Sequence, residues 1–311
     1  MSGQIAKETL FLHNAEMGVG AWAWGDSTFW HYGKNYFEDD IRAAFQTSLA
    51  AGVNLVDTAE AYGAGRSECF LGQFIKESDK PVLVATKFLP YPWRWSKKTL
   101  LQSLRRSLDR LELDHIDLYQ IHWDFPPFPV EHWVEALAEA VKAKLTHAVG
   151  VSNYDKNQMQ RAYNVLARLD IPLASNQVEY HLFNRSVEKN GLLARCQELK
   201  VRLIAWSPLA KGLLTGKYSP EKLPPGMRGA RAALILRHAA PLLGLLTELG
   251  QQHGGKTQGQ VALNWIICKG ALPIPGAKNA DQAAQNAGAI GWRLTADEVK
   301  ALDEASDKAV R

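Results

Sequence analysis

Short apolar runs alternate with longer amphipathic segments along most of the chain, and this alternation predicts its fold class. The clearest run covers residues 53–56, which are apolar except for Asn54 and end at the carboxylate of Asp57. Such continuous runs are typical of strands buried on both faces, as in parallel sheets. The intervening segments carry apolar residues at helical spacing, as over residues 99–111, where leucines share one face.

Eight strands are predicted, ending near residues 20, 57, 87, 122, 152, 177, 206 and 275. Helices are expected over residues 39–51, 68–76, 99–111, 131–141 and 155–169, and a Thr295–Glu298 capping box predicts a last one. The segment between the last two predicted strands is about twice as long as the others. It holds a Pro-, Gly- and Arg-rich loop over residues 223–231 and additional helix. Residues 1–311 are therefore predicted to form one domain, a (β/α)8 TIM barrel with long loops on its C-terminal face.

A doubly wound sheet is the alternative for a chain of alternating strands and helices. It would normally open with a G-x-G-x-x-G turn at the first junction between strand and helix. Here Gly18 and Gly20 are followed by Ala21 and Trp22, and the third glycine is missing. The sequence therefore favours the barrel.

Composition narrows the function classes without selecting one. The 311 residues carry a net charge of +4 with no block of like charges, so nucleic acid is not an expected partner. No signal peptide and no apolar run near the ~18 residues of a membrane span are recognised. Three isolated cysteines fit a reducing compartment. We expect a cytoplasmic protein that does not bind membranes.

Candidate chemistry lies at the predicted carboxyl ends of the strands, a face we call the mouth. Asp57 with Tyr62, Lys87 and His122 fall at successive strand ends. Taken singly, a lysine there is more often a surface residue and a histidine more often a hydrogen-bonded core residue. All four at successive ends point to a site, because barrel chemistry is built at this face.

Two kinds of chemistry could use this set. A metal-dependent hydrolase would need His-x-His on the first strand and further histidine ligands, which are missing, so no metal is expected among the site residues. Proton transfer by a phenol would need a neighbouring ammonium that lowers the tyrosine pKa. Lys87 can supply that charge, Asp57 can hold Lys87, and His122 can donate to a substrate oxygen.

The remaining strand ends suit a nicotinamide nucleotide. Amide-binding groups are offered by Ser152, Asn153 and Gln177, and Trp206 offers a flat ring face. Gly276 to Lys278 place backbone N–H groups and a cation before the last barrel helix, where barrels commonly hold phosphate. Each of these signals is weak alone, since such residues lie in the core or in solvent as often as they bind a cofactor.

Aromatic residues dominate the predicted loops at the mouth. Five are expected to line an apolar pocket for aromatic or medium-chain aldehydes and ketones: Trp24, Trp30, Phe88, Trp123 and Phe125. The alternative is that these rings only seal the loops onto the barrel.

The motifs at the strand ends resemble those of the aldo-keto reductase superfamily. The matching stretches are residues 57–63, 85–87, 117–122, 150–154, 175–180, 206–217 and 274–278 continuing to Asn286. The version at Trp206 to Leu209 resembles the branch that holds bacterial and plant NADPH-dependent reductases, including pyridoxal reductases, and the β subunits of potassium channels. The family's N-terminal hairpin is expected to be shortened or altered near Leu10 to Met17.

This resemblance implies reduction of aldehydes and ketones with NADP(H), with Tyr62 as the general acid in a tetrad with Asp57, Lys87 and His122. It also implies that Lys278 contacts the 2′-phosphate. The cofactor-binding residues expected from it are Gly20, Ala21, Trp22, Asp57, Ser152, Asn153, Gln177, Trp206, Ser207, Pro208, Leu209, Gly212, Lys217, Gly276, Ala277, Lys278, Gln282, Gln285 and Asn286. A cofactor-sensing regulatory subunit with negligible turnover is the alternative. A monomer is expected, since many relatives are monomeric.

Overall fold

The computed structural model describes residues 6–224 and 227–309. Its eight strands all run parallel and lie in sequence order in one sheet. They are β1 (Val19–Gly20), β2 (Leu55–Asp57), β3 (Leu83–Phe88), β4 (Ile116–Ile121), β5 (Thr146–Ser152), β6 (Leu173–Glu179), β7 (Arg202–Trp206) and β8 (Leu272–Pro273). The eight predicted strands are confirmed, with ends within two residues of the expected positions.

The sheet curls so that its last strand approaches its first. The backbone N–H groups of Gly18 and Gly20 donate to the carbonyls of Pro273 and Pro275, both at 3.0 Å. This arrangement is consistent with a (β/α)8 fold. The strands place their carboxyl ends on one face, which is the mouth predicted from the sequence.

Helices follow the strands and cover the outside of the sheet, except for the first helix, which precedes β1. They are α1 (Leu10–Asn14), α2 (Glu38–Ala50), α3 (Arg66–Lys76), α4 (Lys98–Leu111), α5 (Val130–Lys142), α6 (Lys156–Ala167), α7 (Ser186–Lys189), α8 (Leu192–Leu199), α9 (Met227–Gln252), α10 (Gln258–Cys268), α11 (Ala280–Ala287) and α12 (Ala296–Ala309). The predicted capping box is present, because the Thr295 backbone N–H donates to Glu298 and the Glu298 N–H donates to the Thr295 hydroxyl.

The amino-terminal segment differs from the expected hairpin. Residues Leu10–Asn14 form α1, and Leu12 is fully buried in the apolar layer inside the sheet, with Leu55, Leu118 and Ile204. The helix thus contributes an apolar side chain to the layer that the strands enclose.

Helix α9 differs from two expectations. It begins at Met227, inside the segment predicted as a loop, while Pro225 and Gly226 lie outside the described residues. Residues Ala232–Gln252 are also long and apolar enough to cross a membrane by length and composition, which corrects the expectation that no such run exists. One face of α9, including Leu242 and Leu246, is buried in the main core. That burial suits a packing helix, which passes the same length and composition test.

Candidate active site

A buried lysine links three of the four predicted catalytic side chains. Lys87, near the end of β3, is fully buried. Its Nζ donates to Asp57 Oδ2 at 2.5 Å, to the Thr58 carbonyl at 2.7 Å and to Tyr62 Oη at 3.2 Å. The carboxylate, the ammonium and the phenol therefore form one continuous hydrogen-bonded chain at the mouth.

A tight turn after β2 places Tyr62 over this lysine. Residues Tyr62–Gly65 form a 3-10 turn in which Gly63, Ala64 and Gly65 all have positive φ, at 57°, 57° and 92°. A Cβ on Gly63 would lie 2.7 Å from the Gly25 carbonyl oxygen, so this position requires glycine. The turn thus folds the phenol back toward the strand ends.

Asp57 accepts hydrogen bonds from three side chains. Besides Lys87, Gln177 Nε2 donates to Asp57 Oδ1 at 2.8 Å and Gln120 Nε2 donates to the same oxygen at 3.3 Å. A buried carboxylate needs such partners, since an unpaired one is strongly destabilising. Gln120 lies on β4 and is fully buried. Sequence reasoning missed it, although a polar residue inside an otherwise buried strand was an available signal.

The electrostatics of the cluster correct one expectation. Burial raises the pKa of Tyr62 above its usual value, and although Lys87 opposes this effect, Asp57 adds to it. The expected net lowering of the Tyr62 pKa is therefore wrong. Burial acts to lower the pKa of Lys87, but Asp57 and Tyr62 outweigh it and the pKa of Lys87 is raised. At neutral pH the lysine is charged and the phenol keeps its proton.

His122 follows β4 and faces Tyr62 edge-on, with ring centroids 5.6 Å apart. Its backbone is fixed, because its N–H donates to the Phe88 carbonyl and its own carbonyl accepts from Asn153 Nδ2 at 3.0 Å. Burial, together with Lys87, lowers the pKa of His122 to about 3. The imidazole is therefore neutral, with one donor and one acceptor nitrogen.

The neutral His122 gives a testable dependence of stability on pH. The unfolded histidine takes up a proton near pH 6.5, whereas the folded one does so only near pH 3. Stability is therefore complete above about pH 6.5 and is lost as the pH falls. We expect His122 to contribute up to about 2 kcal/mol of this loss between pH 6.5 and 5.

Urea unfolding of the wild type and of His122→Asn at both pH values measures this contribution. The variant should lose less unfolding free energy on acidification than the wild type. Equal losses in the two proteins would contradict a neutral His122 in the folded protein.

A cavity of about 800 Å³ opens at the mouth beside this cluster. It is lined by most of the residues predicted for the site: Gly20, Trp22, Trp30, Asp57, Tyr62, His122, Trp123, Ser152, Asn153, Gln177, Trp206, Ser207, Pro208, Leu209, Gly212, Lys217, Gly276, Lys278, Gln282, Gln285 and Asn286. Lys87 lies beneath Tyr62 rather than in its wall. Ala21 and Ala277, both predicted to bind cofactor, are buried behind the wall.

Three of the predicted pocket aromatics do not line the cavity. Trp24 is fully buried and its Nε1 donates to the Ala277 carbonyl at 2.9 Å, so it joins the loop to the core. Phe88 is fully buried against Trp133, at 4.9 Å between ring centroids. Phe125 stacks on Trp123 outside the cavity, at 6.0 Å. Trp24 and Phe88 therefore belong to the core rather than to a substrate pocket, and Phe125 is an exposed loop residue.

The cavity wall keeps an aromatic corner near Tyr62. Trp22 stacks on Phe29 with centroids 5.1 Å apart and meets Trp30 edge-on at 5.4 Å. The Trp22 ring lies 6.3 Å from the ring of Tyr62. Trp123 lines the cavity from the loop that follows β4. A flat apolar molecule would therefore meet ring faces and edges close to the phenol.

One end of the cavity presents a hydrogen-bonded group of polar side chains. Asn153 Oδ1 accepts from Trp206 Nε1 at 3.0 Å, and Asn153 Nδ2 donates to Ser152 Oγ at 3.0 Å. The Ser152 hydroxyl donates to the Gln177 carbonyl at 2.8 Å. Asn153 has a φ of 61°, which asparagine tolerates better than most residues. These bonds fix the orientation of the Trp206 indole.

A tight loop after β7 brings a lysine to the edge of the cavity. Ser207, Ala210, Lys211 and Gly212 have positive φ, between 49° and 95°. The Ala210 and Gly212 N–H groups donate to the Ser207 and Leu209 carbonyls, at 2.8 and 2.9 Å, so the loop is held as a tight turn by its own backbone. A Cβ on Gly212 would lie 2.8 Å from Lys217 Cε, so glycine lets this lysine approach the loop. The charge of Lys217 in the cavity wall suits a phosphate group.

A second anion-binding feature lies at the start of α11. Asn279 caps the helix by accepting from the Gln282 backbone N–H at 3.0 Å, and Asn286 Nδ2 donates to the Gly276 carbonyl at 3.2 Å. Lys278 Nζ donates to the Trp30 carbonyl at 3.2 Å and lies 4.6 Å from the Trp30 ring centroid. A cation beside a helix amino terminus favours negative charge.

Part of the cavity wall was not predicted from the sequence. Thr257, Gly259 and Gln260 line it from the start of α10. The Thr257–Gln260 pair forms a capping box, with the Thr257 N–H donating to Gln260 Oε1 at 2.9 Å. That pattern could have been recognised in the sequence. The other unpredicted lining residues are Ala23, Ala61, Lys211, Thr215, Tyr218, Ile274, Pro275 and Asp281.

Behind Tyr62, a buried ion pair holds the loop that follows β3. Glu60 accepts from Arg94 at both carboxylate oxygens, and Glu60 Oε1 also accepts from the Leu89 backbone N–H at 2.8 Å. Arg94 Nη1 donates to the Leu89 carbonyl at 2.7 Å. Arg94 therefore helps to hold the loop after β3 in place, and its guanidinium lies against the Phe88 ring.

Comparison with known proteins gives a consistent set of similarities. The aldo/keto reductase family model matches residues 16–307. Chloroplastic pyridoxal reductase from Arabidopsis thaliana is 42% identical over 306 residues, covering 94% of this chain and 83% of the relative.

Two solved structures resemble the fold closely. A thermostable aldo-keto reductase in complex with epalrestat has a TM-score of 0.75 and 29% identity, with 93% and 94% of the two chains covered. An aldo-keto reductase from Klebsiella pneumoniae, in complex with NADPH, has a TM-score of 0.72 and 28% identity, with 93% and 90% covered.

Proposed function

The chain belongs to the aldo/keto reductase family, and from this premise we propose that it reduces aldehydes and ketones with NADPH, using Tyr62 as the proton donor. The observation that carries the proposal is the contact of Lys87 Nζ with both Asp57 Oδ2 and Tyr62 Oη. The whole chain would act as a single barrel domain whose long mouth loops surround the reactants.

Tyr62 is suited to act as an acid because it keeps its proton at neutral pH. As the carbonyl is reduced, negative charge develops on its oxygen, and a phenol within hydrogen-bonding distance can transfer its proton there. The Lys87 ammonium, 3.2 Å from Tyr62 Oη, stabilises the phenolate that remains. Asp57 keeps Lys87 charged and in place, because a buried ammonium needs a paired carboxylate.

His122 would orient the substrate. Its neutral ring lies edge-on to Tyr62 and lines the same cavity, so a ring N–H can donate to the carbonyl oxygen without adding charge. Two donors aimed at one oxygen stabilise the developing negative charge more than either alone.

The residues around the cavity fit a nicotinamide dinucleotide phosphate. Ser152, Asn153 and Gln177 would hold its carboxamide beside Trp206, and the loop from Ser207 to Gly212 with Lys217 would hold the diphosphate. When bound, NADPH supplies the hydride that reduces the carbonyl carbon. The approach of Lys217 to that loop and the polar start of α11 are the observations that support the fit.

The 2′-phosphate of NADPH would lie at the start of α11, where Lys278 would favour NADPH over NADH. Gln282, Gln285 and Asn286 would contact the adenine. The aromatic corner of Trp22, Trp30 and Trp123 favours flat, aromatic aldehydes as substrates. Pyridoxal is a reasonable member of this class, since a relative at 42% identity is a pyridoxal reductase.

The proposal is tested by following NADPH consumption with a panel of carbonyls, including 4-nitrobenzaldehyde, pyridoxal and medium-chain aldehydes. Each turnover should consume one carbonyl, one NADPH and one proton, and yield one alcohol and one NADP⁺. Aromatic aldehydes should give the highest kcat/KM. NADPH binding without turnover on any member would instead support a regulatory subunit. A monomeric state and a cytoplasmic location stay predictions.

Lys278→Met should weaken NADPH binding by about 10–100-fold, because a hydrogen bond to a charged group contributes about 1.5–3 kcal/mol. NADH, which lacks the 2′-phosphate, should lose little affinity. Fluorescence titration of both cofactors measures the difference. Lys308→Met removes an equal charge on α12 and should change neither affinity. An equal loss for NADPH and NADH would contradict the assignment.

A further inference from the structure

Two histidines and an aspartate meet at the amino ends of β4 and β5, on the side of the sheet opposite to the mouth. His115 immediately precedes β4, Asp117 is its second residue and His147 is the second residue of β5. One ligand atom from each of the three side chains lies within 4.8 Å of the others. His115 and His147 are exposed, and Asp117 is half-buried.

The strand register explains why these side chains converge. Ile116 pairs with Thr146 and Leu118 pairs with Ala148, so Asp117 and His147 are neighbours across the two strands. Leu118 and Ala148 point into the apolar layer inside the sheet, so the alternating positions point outward. His115 shares the outward face of β4 with Asp117, two residues away.

The distances are those of a loosely formed triad. The ring centroids of His115 and His147 are 4.1 Å apart, and His147 Nδ1 lies 3.6 Å from Asp117 Oδ1. Bonds of about 2.0–2.2 Å to zinc place two ligands of one ion about 3–3.5 Å apart. The difference between the observed distances and those of a bound ion is small enough to be closed by changes of rotamer in these exposed side chains.

Asp117 is also held in the orientation that such a site needs. Its Oδ2 accepts from the Val84 backbone N–H at 2.7 Å, which leaves Oδ1 directed to the histidines. A hydrogen bond behind a ligating carboxylate is a regular feature of metal sites, because it fixes the ligand before the ion binds. The bond comes from β3, so three neighbouring strands contribute to the arrangement.

We propose that His115, Asp117 and His147 bind a borderline divalent transition metal such as Zn²⁺. Two imidazoles and one carboxylate favour Zn²⁺, Cu²⁺ or Ni²⁺ over Ca²⁺ or Mg²⁺, which prefer oxygen ligands. Three protein ligands leave a position for water or an external ligand. The site lies about 20 Å along β4 from His122, so the ion takes no part in carbonyl reduction.

Equilibrium dialysis of the full-length protein against Zn²⁺, with Cys69 alkylated to remove its exposed thiol, tests the proposal. The wild type should bind one ion per chain with a rise in its thermal midpoint. His115→Gln and His147→Gln should each weaken binding by at least about 100-fold, since even indirect contacts to a metal contribute 10–100-fold. His238→Gln, an exposed histidine on α9, should bind as the wild type does.

Circular dichroism without metal verifies that each variant is folded, since both histidines are exposed and leave the core unchanged. Cu²⁺ loaded at one equivalent should show nitrogen superhyperfine coupling in its electron paramagnetic resonance spectrum, lost in the double variant. Zn²⁺ binding that persists in His115→Gln/His147→Gln would overturn the proposal. So would a wild type that binds no ion, whatever its reductase activity.

Discussion

Tyr62→Phe is expected to lower kcat for aldehyde reduction by about 10²–10⁴-fold, the range that positioned acid–base catalysis contributes. The change removes only the phenolic hydroxyl, which accepts from Lys87 Nζ at 3.2 Å. The ring that packs edge-on to His122 and near Trp22 is retained. The loss should therefore appear in kcat, while the dissociation constant for NADPH stays within about twofold of the wild type.

Tyr163→Phe provides the matched control. It removes the same atom from a half-buried tyrosine on α6, which packs against the core away from the cavity. Steady-state kinetics with 4-nitrobenzaldehyde and a fluorescence titration of NADPH measure the two quantities. A Tyr62→Phe enzyme with the wild-type kcat would show that another group donates the proton.

Lys87→Met should destabilise the protein by about 3–5 kcal/mol, because it leaves the Asp57 carboxylate buried without its cation. Both side chains are almost inaccessible, at 0% and 4% exposure, so water cannot replace the missing charge. The hydrogen bonds from Gln120 and Gln177 remain and place the loss toward the lower end of this range. Urea unfolding monitored by circular dichroism measures the change.

The double variant Lys87→Met/Asp57→Asn separates folding from catalysis. With no buried charge left unpaired, it should recover at least about half of the lost stability. It should not recover activity, because Tyr62 still lacks the ammonium that stabilises its phenolate. Stability as low as that of Lys87→Met alone would mean that the ion pair is not the source of the effect.

The sequence predicted the strands well because most of their positions are apolar and buried. The strands β2, β5 and β7 end at or just before a polar side chain, at Asp57, Ser152 and Ser207. The amino-terminal α1 was not predicted, since five residues carry too little periodicity to distinguish a helix from a strand. The start of α9 was missed because proline and glycine beside it suggested a loop.

Position along the chain predicted which residues lie near the mouth. It could not distinguish the side chains that line the cavity from those that are buried in the core. Trp22 lines the cavity whereas Trp24, two residues later, is fully buried, and Phe88 next to Lys87 packs against Trp133 in the core. The pKa of Tyr62 was also beyond a sequence argument. The neighbouring ammonium could be anticipated, whereas the degree of burial that outweighs it depends on the packed loops.

Asp57 on β2 draws side chains from β3, β4 and β6 onto one carboxylate. Anyone grafting this machinery onto a different scaffold would have to transplant the two glutamines along with the four reactive groups. Copying only the reactive groups would give a host whose acidic residue is misaligned and whose lysine drifts away from the phenol. The two amides are as much a part of the transferable unit as the residues that handle the proton.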